Sequence, residues 1–321
     1  MRNAPLLLAL SILTAAHASP ALAASTDTTP IAQAAEDRSR HDGEGALLRL
    51  QVLLDRARFS PGEIDAVAGS NQARALRGYQ AAHDLPVTGE PDPATWSALE
   101  RDATPVLDEY RLTEADLAGP YRELPEDAMD KAKLDALGHA SLAEELGERF
   151  HASPALLRRL NPELDRATAG TVLKVPAVAG PATARAARVV VDHSESVLRL
   201  LDDGGRVLAQ YPASTGSEHD PLPIGDWSIV TVVENPTFHY NPELFWDADP
   251  KHEKATLAPG PNNPVGSVWI DLSKPHYGIH GTPEPASVGK AQSHGCIRLT
   301  NWDAKAVAAA VDANVPVTLQ E

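Results

Sequence analysis

The residues best suited to chemistry lie near the carboxyl end. They are Gly278-Ile279-His280-Gly281-Thr282-Pro283, followed by Ser293-His294-Gly295-Cys296-Ile297-Arg298. Sixteen positions separate His280 from Cys296, the only cysteine in the chain. A thiol attacks as its thiolate, and a free cysteine has a pKa of about 8.5, so it needs assistance near neutrality. A neighbouring imidazole can take the proton and leave an ion pair. The pattern therefore nominates Cys296 as nucleophile and His280 as base. Gly295 lets backbone approach a substrate and exposes amide N–H groups near the thiol, as an oxyanion hole requires. Gly281 frees its own carbonyl to orient the second imidazole nitrogen, in place of a triad carboxylate. Zinc on His276, His280, His294 and Cys296 is a competing use of the same side chains. It would occupy the nucleophile, and the glycine-flanked loop needs no metal, so neither metal nor cofactor is expected.

To meet, His280 must end one strand and Cys296 begin its neighbour. Period-two segments surround them, at 188–191, 197–201, 207–211, 227–233, 268–272, 277–280, 296–299 and 315–319. Asp203-Gly204-Gly205 supplies hairpin turn chemistry between the second and third. Only 302–313 reads as helix, capped by Thr300 or Asn301. This domain, 188–321, is expected to be mainly β, sandwich- or barrel-like, with one late helix. The aromatic run 235–246 is either a lid or substrate wall or a packed loop core, with His239 and Tyr240 as binding candidates.

The rest of the chain is helical and multidomain, giving an α+β protein overall. Residues 1–23 read as a signal peptide: Arg2, an apolar stretch from Leu6 to Ala16, then Ala21-Leu22-Ala23 as a cleavage site. That implies export to the periplasm with no integral membrane segment after cleavage. A lone thiol in an oxidising compartment is a liability unless it is buried or used. Residues 24–43 are expected to form a flexible leader. In 44–101, Leu47, Leu50 and Leu54, then Leu76 and Tyr79, then Trp96 and Leu99 mark three helices, the last opened by Asp92-Pro93. Residues 102–137 read as a charged connection, mostly helical or irregular. Within 138–176, two helices end in Leu160-Asn161-Pro162 before a strand closing at Val175-Pro176. Residues 177–187 are a linker. The formal net charge of −16 argues against nucleic acid or anionic membrane as partner.

The paired motif, His280-Gly281 and Ser293-His294-Gly295-Cys296-Ile297-Arg298, resembles the active site of the L,D-transpeptidases, the YkuD-like family, and the likeness extends over roughly 186–321. Residues Leu50-Gln51, Leu54, Ile64-Asp65, Tyr79-Gln80, Leu85, Thr88-Gly89, Thr95 and Leu99 resemble the peptidoglycan-binding type 1 domain. Residues 138–176 look like a LysM-type glycan module that lacks its opening strand before Ser141. The resemblance implies peptidoglycan stem peptides and glycan strands as partners. Cys296 would attack the bond joining an L- to a D-residue in a stem tetrapeptide, release D-Ala and form a thioester that a second stem's amine resolves. By position, His280 is base and later acid, the Gly281 carbonyl orients it, and the Gly295 and Cys296 amides are oxyanion donors. His294 shapes that loop, and Arg298, with Ser293 and Tyr240 as further candidates, contacts substrate. The alternatives are an L,D-carboxypeptidase or endopeptidase using the same thiol, or a non-catalytic wall-binding protein.

Overall fold

The computed structural model of the chain describes residues 29–180, 184–293 and 295–321. The signal-like segment, the start of the leader, the middle of the 177–187 linker and His294 lie outside the described residues. The first helices are α1 (Pro30–Glu36), α2 (Gly43–Arg56), α3 (Ser70–Ala82) and α4 (Pro93–Leu99). Of the expected inward residues, Leu50, Leu54, Leu76, Tyr79, Trp96 and Leu99 are buried, and Leu47 is half-buried. The Asp92 side chain accepts from the Thr95 amide at 2.8 Å, and Pro93 occupies the first turn of α4.

The flexible leader is corrected in part. Residues 30–36 form α1, whose Ala32 and Ala35 are buried. Contact with α2 is close because Gly45 has no Cβ; one added there would lie 2.4 Å from the Ala34 Cβ. Small residues, rather than an apolar period, hold this helix down.

Next come β1 (Leu107–Arg111), α5 (Glu114–Ala118), α6 (Ala128–Lys131), α7 (Leu142–Arg149), α8 (Pro154–Leu160) and β2 (Val172–Pro176). β1 pairs antiparallel with β2, so the charged segment 102–137 contains a strand that composition concealed. Leu107 is the one buried residue of β1; the others face solvent wholly or partly. No strand directly precedes Ser141. The Asn161 side chain clamps β2, accepting from Lys174 N at 2.7 Å and donating to Lys174 O at 2.8 Å. β1, α7, α8 and β2 share one hydrophobic core with α1–α4.

A second core lies under β3 (Arg188–Asp192), β4 (Val197–Leu201), β5 (Val207–Pro212), β6 (Gly225–Glu234), β9 (Val268–Leu272), β10 (Gly278–His280), β11 (Ile297–Arg298) and β12 (Pro316–Gln320), with α9 (Asn301–Ala310) packed on it. The spatial order is β11-β10-β9-β6-β12-β3-β4-β5. β10–β11 and β12–β3 are parallel pairs and the others antiparallel. Just past β5, Ser214 bridges Arg298 of β11 through two backbone hydrogen bonds of 2.9 and 2.8 Å, so the sheet curls back on itself. The aromatic run forms a separate hairpin, β7 (Phe238–Tyr240) with β8 (Ala255–Leu257).

The two cores meet through buried polar groups. His151 pairs with Asp55 at 2.8 Å and stacks on Trp302 at 5.3 Å, while Asp303 accepts from the Ser60 hydroxyl at 3.0 Å. Burial pushes Asp303 and Glu148 up to about 7, against the opposing pull of His151 on Asp303 and of Asn301 on Glu148. Burial lowers His151, but the Asp55 carboxylate outweighs it and the net shift is upward. All three bind protons more tightly folded than unfolded, so the stability they contribute is lost as pH rises, through about 7 for the two carboxyl groups and above the ordinary histidine range for His151. The melting temperature should therefore be lower at pH 8.5 than at pH 5.5, and Asp303→Asn should flatten that slope. A melting temperature that climbs over the same range would contradict this.

Candidate active site

The register of three strands places the key side chains. Ile279 pairs with Ile297, and both are fully buried in the core. Strand alternation turns His280 and its partner Arg298 to the opposite face, and Cys296 lies in the bend one residue ahead of β11 rather than on the strand that the sequence suggested. On the other flank His280 pairs with Trp269, whose ring stacks on the imidazole at 5.6 Å between centroids.

The His280 Nδ1 lies 2.6 Å from the Gly281 carbonyl oxygen. A carbonyl only accepts, so Nδ1 carries the proton and Nε2 is left with its lone pair. Gly281 in turn lies against buried Asn301: a Cβ there would sit 2.1 Å from Asn301 Oδ1. That oxygen accepts from Ser267 N at 3.0 Å, and Asn301 Nδ2 donates to Glu148 at 2.7 Å and to the Pro261 carbonyl at 3.1 Å.

Burial drives His280 down to about 4, the Arg298 charge adds to this, and the Gly281 hydrogen bond opposes it. Burial also pushes the Cys296 thiol up, against the Gly278 amide and Arg298, which pull it down. Both groups are therefore neutral at neutral pH, whereas the sequence reading expected an ion pair. Among the described residues no hydrogen bond joins Sγ to the imidazole; Sγ lies 3.8 Å from the His276 carbonyl. His276 adopts φ 68, a left-handed conformation that is costly for a residue with a Cβ.

Gly295 has φ +97, and a Cβ there would lie 2.9 Å from the Tyr277 ring, so this position needs glycine twice over. The amides of Gly295 and Cys296 have no backbone partner among the described residues. Ser293, a substrate candidate on sequence, is buried and donates its hydroxyl to the Cys296 carbonyl at 2.5 Å, so it holds the loop. Arg298 is half-buried, its Nε has no hydrogen-bond partner among the described residues, and Glu284 is the carboxylate that acts on it. Tyr240 bonds His252 at 2.9 Å and packs against Phe245, within the separate hairpin. His294 lies outside the described residues. Among those described, no three His, Cys, Asp or Glu side chains gather to hold a metal ion.

Sequence reasoning missed Trp269, Tyr277 and Asn301. The glycines at 278, 281 and 295 signalled close neighbours without naming them. Asn301 was a candidate helix cap, but Thr300 fills that role by accepting from Asp303 N, which leaves Asn301 to support the glycine turn.

The L,D-transpeptidase catalytic domain family matches residues 186–319, and a peptidoglycan-binding domain family matches 44–99. The L,D-transpeptidase YkuD of Bacillus subtilis is 32% identical over 171 residues, covering 53% of this chain and 88% of that protein. The chain belongs to the YkuD family of L,D-transpeptidases. The YkuD protein of Bacillus licheniformis is 30% identical over 178 residues, covering 55% of this chain and 92% of its own length. YbiS of Escherichia coli K12, also named an L,D-transpeptidase, is 27% identical over 179 residues, covering 52% of this chain and 56% of its own.

A neutral resting thiol has a direct consequence in this single-cysteine member of the YkuD family. Alkylation of Cys296 by iodoacetamide should accelerate through an apparent pKa above the usual value of about 8.5. A rate already at its plateau by pH 6 would mean a preformed thiolate and contradict the geometry.

Proposed function

We propose that this chain is an exported, periplasmic L,D-transpeptidase in which Cys296 forms a thioester with a peptidoglycan stem. The observation that carries the reading is the His280 Nδ1 bond to the Gly281 carbonyl, which leaves Nε2 with its lone pair at the end of a strand whose parallel neighbour, β11, begins one residue after Cys296. Because thiol and imidazole are both neutral at rest, the proton passes from Sγ to Nε2 as the sulfur attacks, after rotation of the Cys296 side chain away from the His276 carbonyl. The attacked carbonyl joins an L- to a D-residue. Its oxyanion is received by the amides of Gly295 and Cys296, which have no backbone partner among the described residues. His280 then returns the proton to the departing D-Ala nitrogen, and the amine of a second stem resolves the thioester. Arg298 is assigned to a substrate carboxylate because its planar guanidinium suits that group and it lies two residues after the nucleophile. The helical domain would hold the enzyme on its polymer. Periplasmic placement rests on the apolar amino-terminal stretch and its small-residue cleavage site.

Mass spectrometry after incubation with a disaccharide-tetrapeptide should show an adduct on Cys296 formed with loss of D-Ala. Cross-linked dimers mark amine resolution and tripeptides mark hydrolysis. Cys296→Ala should lower D-Ala release on the order of a thousandfold or more. Release by that variant at the parent rate would refute the mechanism.

A further inference from the structure

Helix α3 turns two faces inward. Ala75, Leu76 and Tyr79 enter the helical core, whereas Asn71, Arg74 and Gly78, at helical spacing, meet the catalytic domain. Gly78 lies against Gln210 of β5, where an added Cβ would come within 2.6 Å of the side chain. Arg74 Nη1 donates to the Gly289 carbonyl at 3.0 Å and to Asn71 Oδ1 at 2.7 Å. An arginine only donates, so Asn71 turns its oxygen to Arg74 and its nitrogen the other way. That nitrogen donates to the Val288 carbonyl at 2.8 Å in a buried bond. Gly289 has φ +71, and a Cβ there would lie 2.5 Å from Asn71 Oδ1, so only glycine passes this close.

What Asn71 and Arg74 hold is the start of the loop that carries the nucleophile. The Gly289 amide donates to the Ser214 hydroxyl at 2.9 Å, and the Ser214 backbone bridges Arg298. The loop 289–298 therefore leaves from and returns to one buried serine. Its described residues between Gly289 and Ile297 belong to no helix or strand, so anchors of this kind give it its shape. The Gly295 and Cys296 amides ride on this loop. Oxyanion donors act only where the charge develops, and a displacement of about 1 Å can cost about a hundredfold in rate.

We propose that Asn71, together with Arg74, is a positioning residue for the transfer reaction, fixing from the helical domain the loop that delivers Cys296 and its neighbouring amides. Other contacts between the two halves do not reach that loop; the Ser60 hydroxyl, for one, donates to Asp303 of α9. The proposal rests on the acyl-enzyme reading above only for the reaction that measures it.

The test compares the full chain with its Asn71→Asp, Asn71→Ala and Ser60→Ala variants. Asn71→Asp keeps the oxygen that Arg74 holds but sets an acceptor against the Val288 carbonyl, and it guards against misfolding of Asn71→Ala. Both Asn71 variants should lower kcat for D-Ala release by about tenfold, the weight of one buried hydrogen bond, with KM changed by less than about twofold. As the loop loosens, water reaches a thiol that burial now protects. The apparent pKa of Cys296 alkylation by iodoacetamide should then fall toward the ordinary value of about 8.5. Ser60→Ala should lower the melting temperature while leaving kcat and the alkylation profile as in the parent. The proposal is overturned if Asn71→Asp keeps the parent kcat or the parent alkylation profile, or if its loss falls on KM instead. It is equally overturned if Ser60→Ala reproduces the changes of the Asn71 variants, since Asn71 would then be an ordinary domain contact. A parent that releases no D-Ala would refute the acyl-enzyme reading, and the alkylation profile, which needs no stem peptide, would alone decide on Asn71.

Discussion

A proton held on the inner nitrogen of one buried imidazole governs the candidate site. Because the Gly281 carbonyl accepts from His280 Nδ1, the outer nitrogen can serve only as an acceptor. A backbone carbonyl carries no charge, so it orients the ring without the raised basicity that a carboxylate partner gives. Burial and the Arg298 charge then act almost unopposed, and the imidazole is neutral at any pH near neutrality. A base built this way is available without first having to lose a proton, and its cationic form exists only while the sulfur is reacting.

That one bond depends on packing some distance away. Asn301 fills the space that side chains would need at Gly281 and Gly266, and its amide reaches back to Glu148 of α7. The helical half of the molecule thus supports the turn beside His280 through a partly buried hydrogen bond. The curl of the sheet serves the other partner. The Ser214–Arg298 bridge pins β11 where the first and last strands approach, and the loop carrying Cys296 leads into it. Ser293 secures that loop from below through the Cys296 carbonyl.

Much of this was legible in the residues. Val189 and Val191, Leu198 and Leu200, and Ile270 and Leu272 alternate as half-buried strands must, and each is buried. Trp96 and Leu99 follow the helical period in the same way. What stayed hidden lacked such a period. Strand β1 exposes nearly all of a charged sequence, and α1 is held by alanines against a glycine. The three-residue strands β7 and β8 are too short to show alternation. At the site, motif spacing indicated two adjacent strands, and these are β10, which ends at His280, and β11, which begins one residue after Cys296. It could not indicate that Trp269 covers the imidazole, that Tyr277 covers Gly295, or that both titratable groups rest neutral, because those facts depend on neighbours distant in sequence and on burial.

The protonation state of His280 is the quantity from which the rest follows, and nitrogen-15 NMR of histidine-labelled protein reads it directly. The signal that disappears in His280→Gln should report the Nδ1–H tautomer, uncharged from pH 8 down to pH 5.5, with protonation only near the value of about 4 that burial imposes. A resonance showing the proton on Nε2, or titrating near the ordinary histidine pKa of about 6.5, would contradict the account.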